Sequence, residues 1–359
     1  CTLTIDDKNG IRGIDIGISA VVEAEHIGLK FHDRPQILGY KEFMPNKNNA
    51  IRIGKGMRLS SDVMLVADDG VGFRLYTNDA NVDALQDLTL SVYKLDLASI
   101  FSILPYTPNV KGVLNGDFHA IVDKESTSIS SNIDVSNLSY ENSPIGNIST
   151  EIVYMPHSDG SHYVDGIIYK EDKEIATLSG TYVFGEEDYI DAKLMLKDMP
   201  VDVINGFVPD KILGMRGYGN GELNVVGNVS KPKINGILNL EEASFISLPY
   251  GIELKIDDDA VRIEDSRIYF DKFQFYDNAS NPLIMNGSLD FSDFEHIWAN
   301  LTVGGKNILI IDAKENKYSE AYGKAYVNIF SNIKGELSRL NVRAKLDVLP
   351  TTNLYYILR

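Results

Sequence analysis

The sequence predicts an all-β, antiparallel protein. Three observations carry that prediction: apolar and polar residues alternate with period 2 in segment after segment, turn signals separate the segments, and helical periodicity is confined to two short stretches. Successive side chains of a strand point to opposite faces, so alternation of this kind builds strands with one apolar and one wetted face. Many short alternating strands with little helix between them form antiparallel sheets.

In chain order, Cys1-Thr2-Leu3-Thr4-Ile5 alternates from the first residue. Strand patterns follow at 59–67, 88–95 and 117–122. In 189–197 one face carries Ile190, Ala192, Leu194 and Leu196 against mostly polar neighbours. Further strands are expected at 222–229 and 324–333, and in 341–348 the alternation is complete. Asp68-Asp69-Gly70, Ser158-Asp159-Gly160 and Asp257-Asp258-Asp259 read as turns. The two helical stretches, 96–104 and 200–207, each lead into a proline (Pro105, Pro209) and then a glycine, so each is read as one short helix ahead of a new strand set.

Composition narrows the function. The 359 residues are 44% hydrophobic and 24% charged, which suits a chain that folds around a core. No apolar run approaches the roughly 18 residues of a membrane-spanning helix. The net charge of −17 argues against nucleic acid as a partner and against electrostatic docking to an anionic lipid surface. The single cysteine, Cys1, allows no intrachain disulfide and no zinc site built on several thiolates. Cys1 suits either the lipidated start of a bacterial lipoprotein or a fragment boundary, and the immediate strand alternation favours the boundary.

The chain also repeats itself. Gly112 and Gly116 recur as Gly217 and Gly221, each pair 105 residues apart, with Asn-Gly-acid-apolar at the same offset and a short helix just upstream. Residues 227–240 align without gaps to 335–348 at an offset of 108, as a strand, a tight turn and a returning strand. The expected organisation is an N-terminal β unit (1–95), a middle repeat (96–199) and a C-terminal repeat (200–359), stacked into one continuous elongated body.

The segment 221–240 has the pattern G-x-L-x-V-x-G-x-V-x-x-P-x-I-x-G-x-L-x-L, followed by Ala243-Ser244-Phe245 and Pro249-Tyr250-Gly251-Ile252-Glu253-Leu254. With Tyr322-Gly323-Lys324-Ala325-Tyr326-Val327 and the closing stretch from Leu349-Pro350 to Tyr355-Tyr356, it resembles the C-terminal domain of the TamB family. Those are the translocation and assembly module proteins of bacterial envelopes, within the wider AsmA-like group, and the flavour is that of Bacteroidetes members. The resemblance covers about residues 55–359. It departs from the family pattern in the last copy, where Leu340 stands in the proline slot and Ala344 in the glycine slot.

The resemblance implies a long antiparallel sheet curled into a U-shaped hydrophobic trough. It implies a non-enzymatic periplasmic protein without a cofactor, held in the inner membrane by a segment absent from this sequence, that serves outer-membrane biogenesis. The implied partners are phospholipid acyl chains and an outer-membrane β-barrel protein of the assembly-factor type. The groove candidates are Ile190, Ala192, Leu194 and Leu196; Ile234, Leu238 and Leu240; and Val342, Leu346 and Val348. Exposing an acyl chain of about 16 carbons to water costs about 12 kcal/mol, and an apolar trough removes that cost without chemistry. One-faced apolar strands build a filled sandwich equally well, and the pattern alone favours the sandwich. The alternatives are a surface β-sandwich for carbohydrate binding or adhesion, and a hydrolase with paired carboxylates.

Other motifs favour structural readings. Gly217-Tyr218-Gly219-Asn220-Gly221 precedes a strand rather than a helix, so it is read as a turn and not a phosphate loop. Gly54-Lys55-Gly56 lacks the phosphate-loop spacing, and Asp257-Asp258-Asp259 lacks the spaced oxygens of a calcium loop. His157 and His162 flank a hairpin tip with no evident third ligand. No G-x-S-x-G elbow is present.

Overall fold

The computed structural model describes residues 1–78, 84–101, 109–124, 126–140, 143–185, 188–207, 214–257, 260–278, 280–293, 296–315 and 321–356. Among them 25 strands form one antiparallel sheet, which confirms the all-β class. The chain divides into two units, Cys1–Glu174 and Ile175–Arg359.

The first unit begins with β1 (Thr2–Asp6), β2 (Arg12–Val22), β3 (Ile27–Phe31), β4 (Gln36–Leu38), β5 (Lys41–Pro45) and β6 (Ala50–Ile53). It continues with β7 (Leu59–Val66), β8 (Gly72–Thr77), β9 (Gln86–Asp96), helix α1 (Leu97–Phe101) and β10 (Val110–Val122). Then come β11 (Thr127–Tyr140), β12 (Ser143–Pro156) and β13 (Ser161–Lys170). Phe43, Val63, Leu65, Ala67 and Val71 form its buried cluster.

The boundary falls at the start of β14 (Lys173–Val183). The second unit continues through β15 (Tyr189–Pro200), a 3-10 helix (Val201–Phe207), β16 (Gly214–Asn228), β17 (Lys233–Ser247), β18 (Ile252–Ile256), β19 (Val261–Glu264) and β20 (Arg267–Tyr276). It closes with β21 (Pro282–Asp290), β22 (Trp298–Ala313), β23 (Ala321–Glu336), β24 (Arg339–Val348) and β25 (Asn353–Tyr356). Its buried cluster is Ala243, Ile256, Val261, Phe273 and Phe275.

Two local expectations change. Of the helix expected over 96–104, Leu97–Phe101 is α-helical and 102–104 lie outside the described residues; the one expected over 200–207 is 3-10 over Val201–Phe207. Pro105, Pro209, Asp258 and Asp259 lie outside the described residues. The Gly217–Gly221 run is not a turn but the interior of β16. The turns at Gly70 and Gly160 form as expected, with φ of 84° and 85°. Across the repeat boundaries expected at 95/96 and 199/200, β9 pairs with β10 and β15 with β16.

The glycines of β16 have a different purpose, which the ladders reveal. β9, β11, β15, β20 and β22 each carry an extra residue that the register skips: Lys94, Asn137, Asp198, Lys272 and Asn307. All five have φ between 46° and 56°. A bulged residue loses its ladder partner and bends its strand. Here the stranded N–H is accepted in every case by an asparagine Oδ1 on the next strand, at 2.7–3.0 Å: Asn115, Asn147, Asn220, Asn286 and Asn328. β17 bulges at Glu242 (φ 48°) opposite Gly217, whose own φ is +111° and where a Cβ would lie 2.5 Å from the Ala243 Cα. Only glycine fits that approach. Bulges repeated at matching positions bend a sheet and increase its twist.

Candidate apolar groove

The cross-strand register places the expected groove residues on one face of the second unit. Leu196, Gly221, Leu238 and Val261 stand on one rung across β15, β16, β17 and β19. Leu194, Leu223, Gly236 and Ile263 form the next, and Ala192, Val225 and Ile234 the one after. Ile190 pairs with Gly227, and Leu240 with Gly219. The face runs on from Ile263 to Ile268, Leu289, Ala299, Gly335 and Leu340 on β24. Val342 stands opposite Ile333, which stands opposite Leu301; Leu346 faces Ile329, and Val348 faces Val327. All ten candidates therefore share a continuous apolar face.

Their burial differs. The seven residues on β15 and β17 are half-buried. On β24 the exposures are 56% for Val342, 50% for Leu346 and 67% for Val348, and every residue of the strand is exposed. β24 pairs along its whole length with β23 and with no second strand among the described residues.

An open cleft of about 620 Å³ is sunk into this face, with no polar atom in its lining. Leu196, Leu238 and Leu240 of the candidate set line it. So do residues that alternation does not select: Met199, Phe245 and Phe273. Leu196 to Met199, Leu240 to Phe245 and Phe270 to Phe273 are odd spacings, which on a flat strand would put the two members on opposite faces. The bulges at Asp198, Glu242 and Lys272 fall between the members and bring both inside. The sequence does carry a signal. Asn115-Gly116, Asn220-Gly221 and Asn286-Gly287 mark three of the five clamp strands, and Phe270-Asp271-Lys272-Phe273 breaks its own alternation.

Phenylalanines make the floor. Phe273 lies 5.5 Å from Phe270 and 5.3 Å from Phe275 between ring centroids, both edge-on, and Phe245 lies 5.6 Å from Phe275. Ion pairs occupy the opposite face. Arg216 pairs with Glu253, which also accepts the Ser244 hydroxyl, and Arg216 holds the Glu253 carboxyl below the usual carboxylate range. Arg267, bonded to Asp290, draws that carboxyl down to about 2.

A second cleft, of about 550 Å³, lies in the first unit between Leu38, Phe43, Phe73, Leu95 and the polar Lys41, Asp96 and Ser99. Leu95, Asp96 and Ser99 occupy the same repeat positions as Met199, Pro200 and Val203 of the apolar cleft, 104 residues earlier.

His119 and His162 each meet a neighbouring side chain. His119 Nε2 lies 2.7 Å from Asp87 Oδ1, while the Ser91 hydroxyl donates to Asp117 rather than to the imidazole. At the β12–β13 tip, His162 Nδ1 meets the Tyr154 hydroxyl at 2.6 Å, and Asp159 caps Ser161. The Ser161 bonds hold the Asp159 carboxyl low. Among the described residues no three His, Cys, Asp or Glu side chains converge as metal ligands. No helix among them is long and apolar enough to cross a membrane.

Comparison with protein-family models, with curated proteins and with solved structures returns no match.

Proposed function

We propose that this chain is a non-enzymatic lipid-shielding protein of the bacterial envelope, of the TamB type, acting in outer-membrane biogenesis. The observation that carries the reading is the apolar cleft of the second unit, which opens onto a face of the sheet that stays apolar as far as β24. A 16-carbon chain buried there recovers about 12 kcal/mol of transfer free energy. The bulges supply curvature, and the phenylalanine floor supplies a surface with no polar group to desolvate. The envelope and periplasmic setting and the inner-membrane anchor rest on the sequence resemblance. The unpaired edge of β24 suits a second role, pairing with a strand of an outer-membrane β-barrel protein during assembly or secretion.

Native mass spectrometry of the purified chain, with lipid extraction from the same sample, tests the proposal. Phospholipid is expected to co-purify. Leu238→Asp, which puts a charge into the cleft, is expected to release it while the far-ultraviolet circular dichroism stays that of a β protein. A lipid-free mass together with no uptake from labelled liposomes would overturn lipid shielding.

A further inference from the structure

A second concave site lies on the opposite face of the same sheet. Along β22, β23 and β24 the register sets three rungs side by side: Trp298, Glu336 and Arg339; Asn300, Lys334 and Asn341; Thr302, Asn332 and Arg343. Directly opposed residues stand about 5 Å apart at Cβ. The cleft they form has a volume of about 720 Å³. Its side chains include Trp298, Asn332, Lys334, Arg339, Asn341 and Arg343, and no carboxylate lines it. The nearest acid, Glu336, accepts the Ser338 hydroxyl at 2.7 Å. No ion pair among the described residues engages Lys334, Arg339 or Arg343. Trp298 is 49% exposed.

This is an unusual concentration in a chain of net charge −17. At physiological salt the Debye length is about 8 Å, so distant acids are screened, and Glu336, directly opposite Arg339, offsets only part of the charge of the three cations Lys334, Arg339 and Arg343. Guanidinium forks match carboxylate and phosphate oxygens bidentately. Two amides offer donors and acceptors to hydroxyls. An exposed indole supplies a flat apolar surface for a ring. The volume falls in the range of small-ligand sites.

We propose that this cleft binds an anionic saccharide, a short chain of sugar rings bearing carboxylate or phosphate, with Arg339, Arg343 and Lys334 on the charge and Trp298 against a ring. The proposal is independent of the lipid reading, because the side chains concerned point away from the groove.

Trp298 is the only tryptophan in the chain, so its fluorescence reports on this cleft alone. Trigalacturonate is expected to shift the emission saturably, and neutral maltotriose is expected to act at least tenfold more weakly. Phosphatidylcholine vesicles doped with lipid A, a phosphorylated disaccharide on acyl chains, form the second arm. A response to lipid A alone would assign the saccharide to a glycolipid headgroup, and a response to trigalacturonate would assign it to a free or polymeric glycan. Arg339→Ala with Arg343→Ala is expected to raise half-saturation at least tenfold, whereas Lys231→Ala, removing an exposed cation in the β16–β17 turn, leaves it unchanged. Equal responses to maltotriose and trigalacturonate would overturn the proposal. So would no response in either arm, or a response to phosphatidylglycerol vesicles matching that to the saccharides.

Discussion

The strand set β9–β11 and the strand set β15–β17 are two castings of one device. Lys94 and Asp198 bulge at matching positions, Asn115 and Asn220 clamp them, and a short helix follows each. Asn137 and Glu242 bulge 105 residues apart. The clefts beside the two helices are of similar size. Their linings differ. Asp96 and Ser99 bond to one another at 2.7 Å in the first, where Pro200 and Val203 present only carbon in the second. Backbone geometry therefore makes a cleft in both units, and side-chain choice at the same repeat positions makes one polar-edged and the other apolar.

The comparison can be broken most decisively by exchanging the linings. Pro200→Asp with Val203→Ser gives the second cleft the polar pair of the first. Lipid recovered by native mass spectrometry should fall at least tenfold, and retention at the wild-type level would show that the lining does not select the cargo.

Deleting the clamps sharpens the comparison. Asn115→Ala and Asn220→Ala each remove the acceptor of a bulge N–H. Read from urea denaturation, Asn115→Ala should cost about 1 kcal/mol, because the Lys94 N–H is exposed and water replaces the acceptor. Asn220→Ala should cost more, because its bond is part-buried and its amide also donates to Asp198 and Glu241. No loss at either position would show that the asparagines do not hold the bulges.

A smaller effect is expected at Thr150 on β12, which stands opposite Ile133 and Ile168 on the apolar face of the first unit. Its Oγ1 is buried without a hydrogen-bond partner. Thr150→Val should raise stability by about 1 kcal/mol, because a methyl needs no partner there.

The smallest effect concerns the Arg267–Asp290 pair. The folded-state pKa of Asp290, about 2, lies below its ordinary 3.8, so its contribution is fully present above about pH 4 and is lost as pH falls through 2. The pair is partly exposed, so Asp290→Asn should cost less than about 1 kcal/mol at pH 7 and nothing below pH 2. A deficit that persists at pH 2 would show a packing role instead of a charge effect.

Much of this was legible in the sequence. Period 2 located β15 and β24, and the 105-residue offset of Gly112 and Gly217 marked real structural equivalents. Alternation also put Leu196, Leu238 and Leu240 on the face that carries the cleft. It could not find Met199 or Phe273, because a bulge resets parity and a strict two-residue period carries no term for it. Nor does net charge reveal segregation: the −17 total hides the cations grouped on β23 and β24.

The central claim is that the second unit's cleft, and not the first unit's or the outer face, holds acyl chains. Replacing Phe270, Tyr269 or Phe73 singly with the photoreactive p-benzoylphenylalanine, irradiating living cells and weighing the purified chain tests it directly. Phe270 lines the apolar cleft, Tyr269 lies on the opposite face, and Phe73 lines the polar-edged cleft. Phospholipid adducts at position 270, and none at 269 or 73, are the predicted result. Adducts at all three positions, or none at 270, would contradict it.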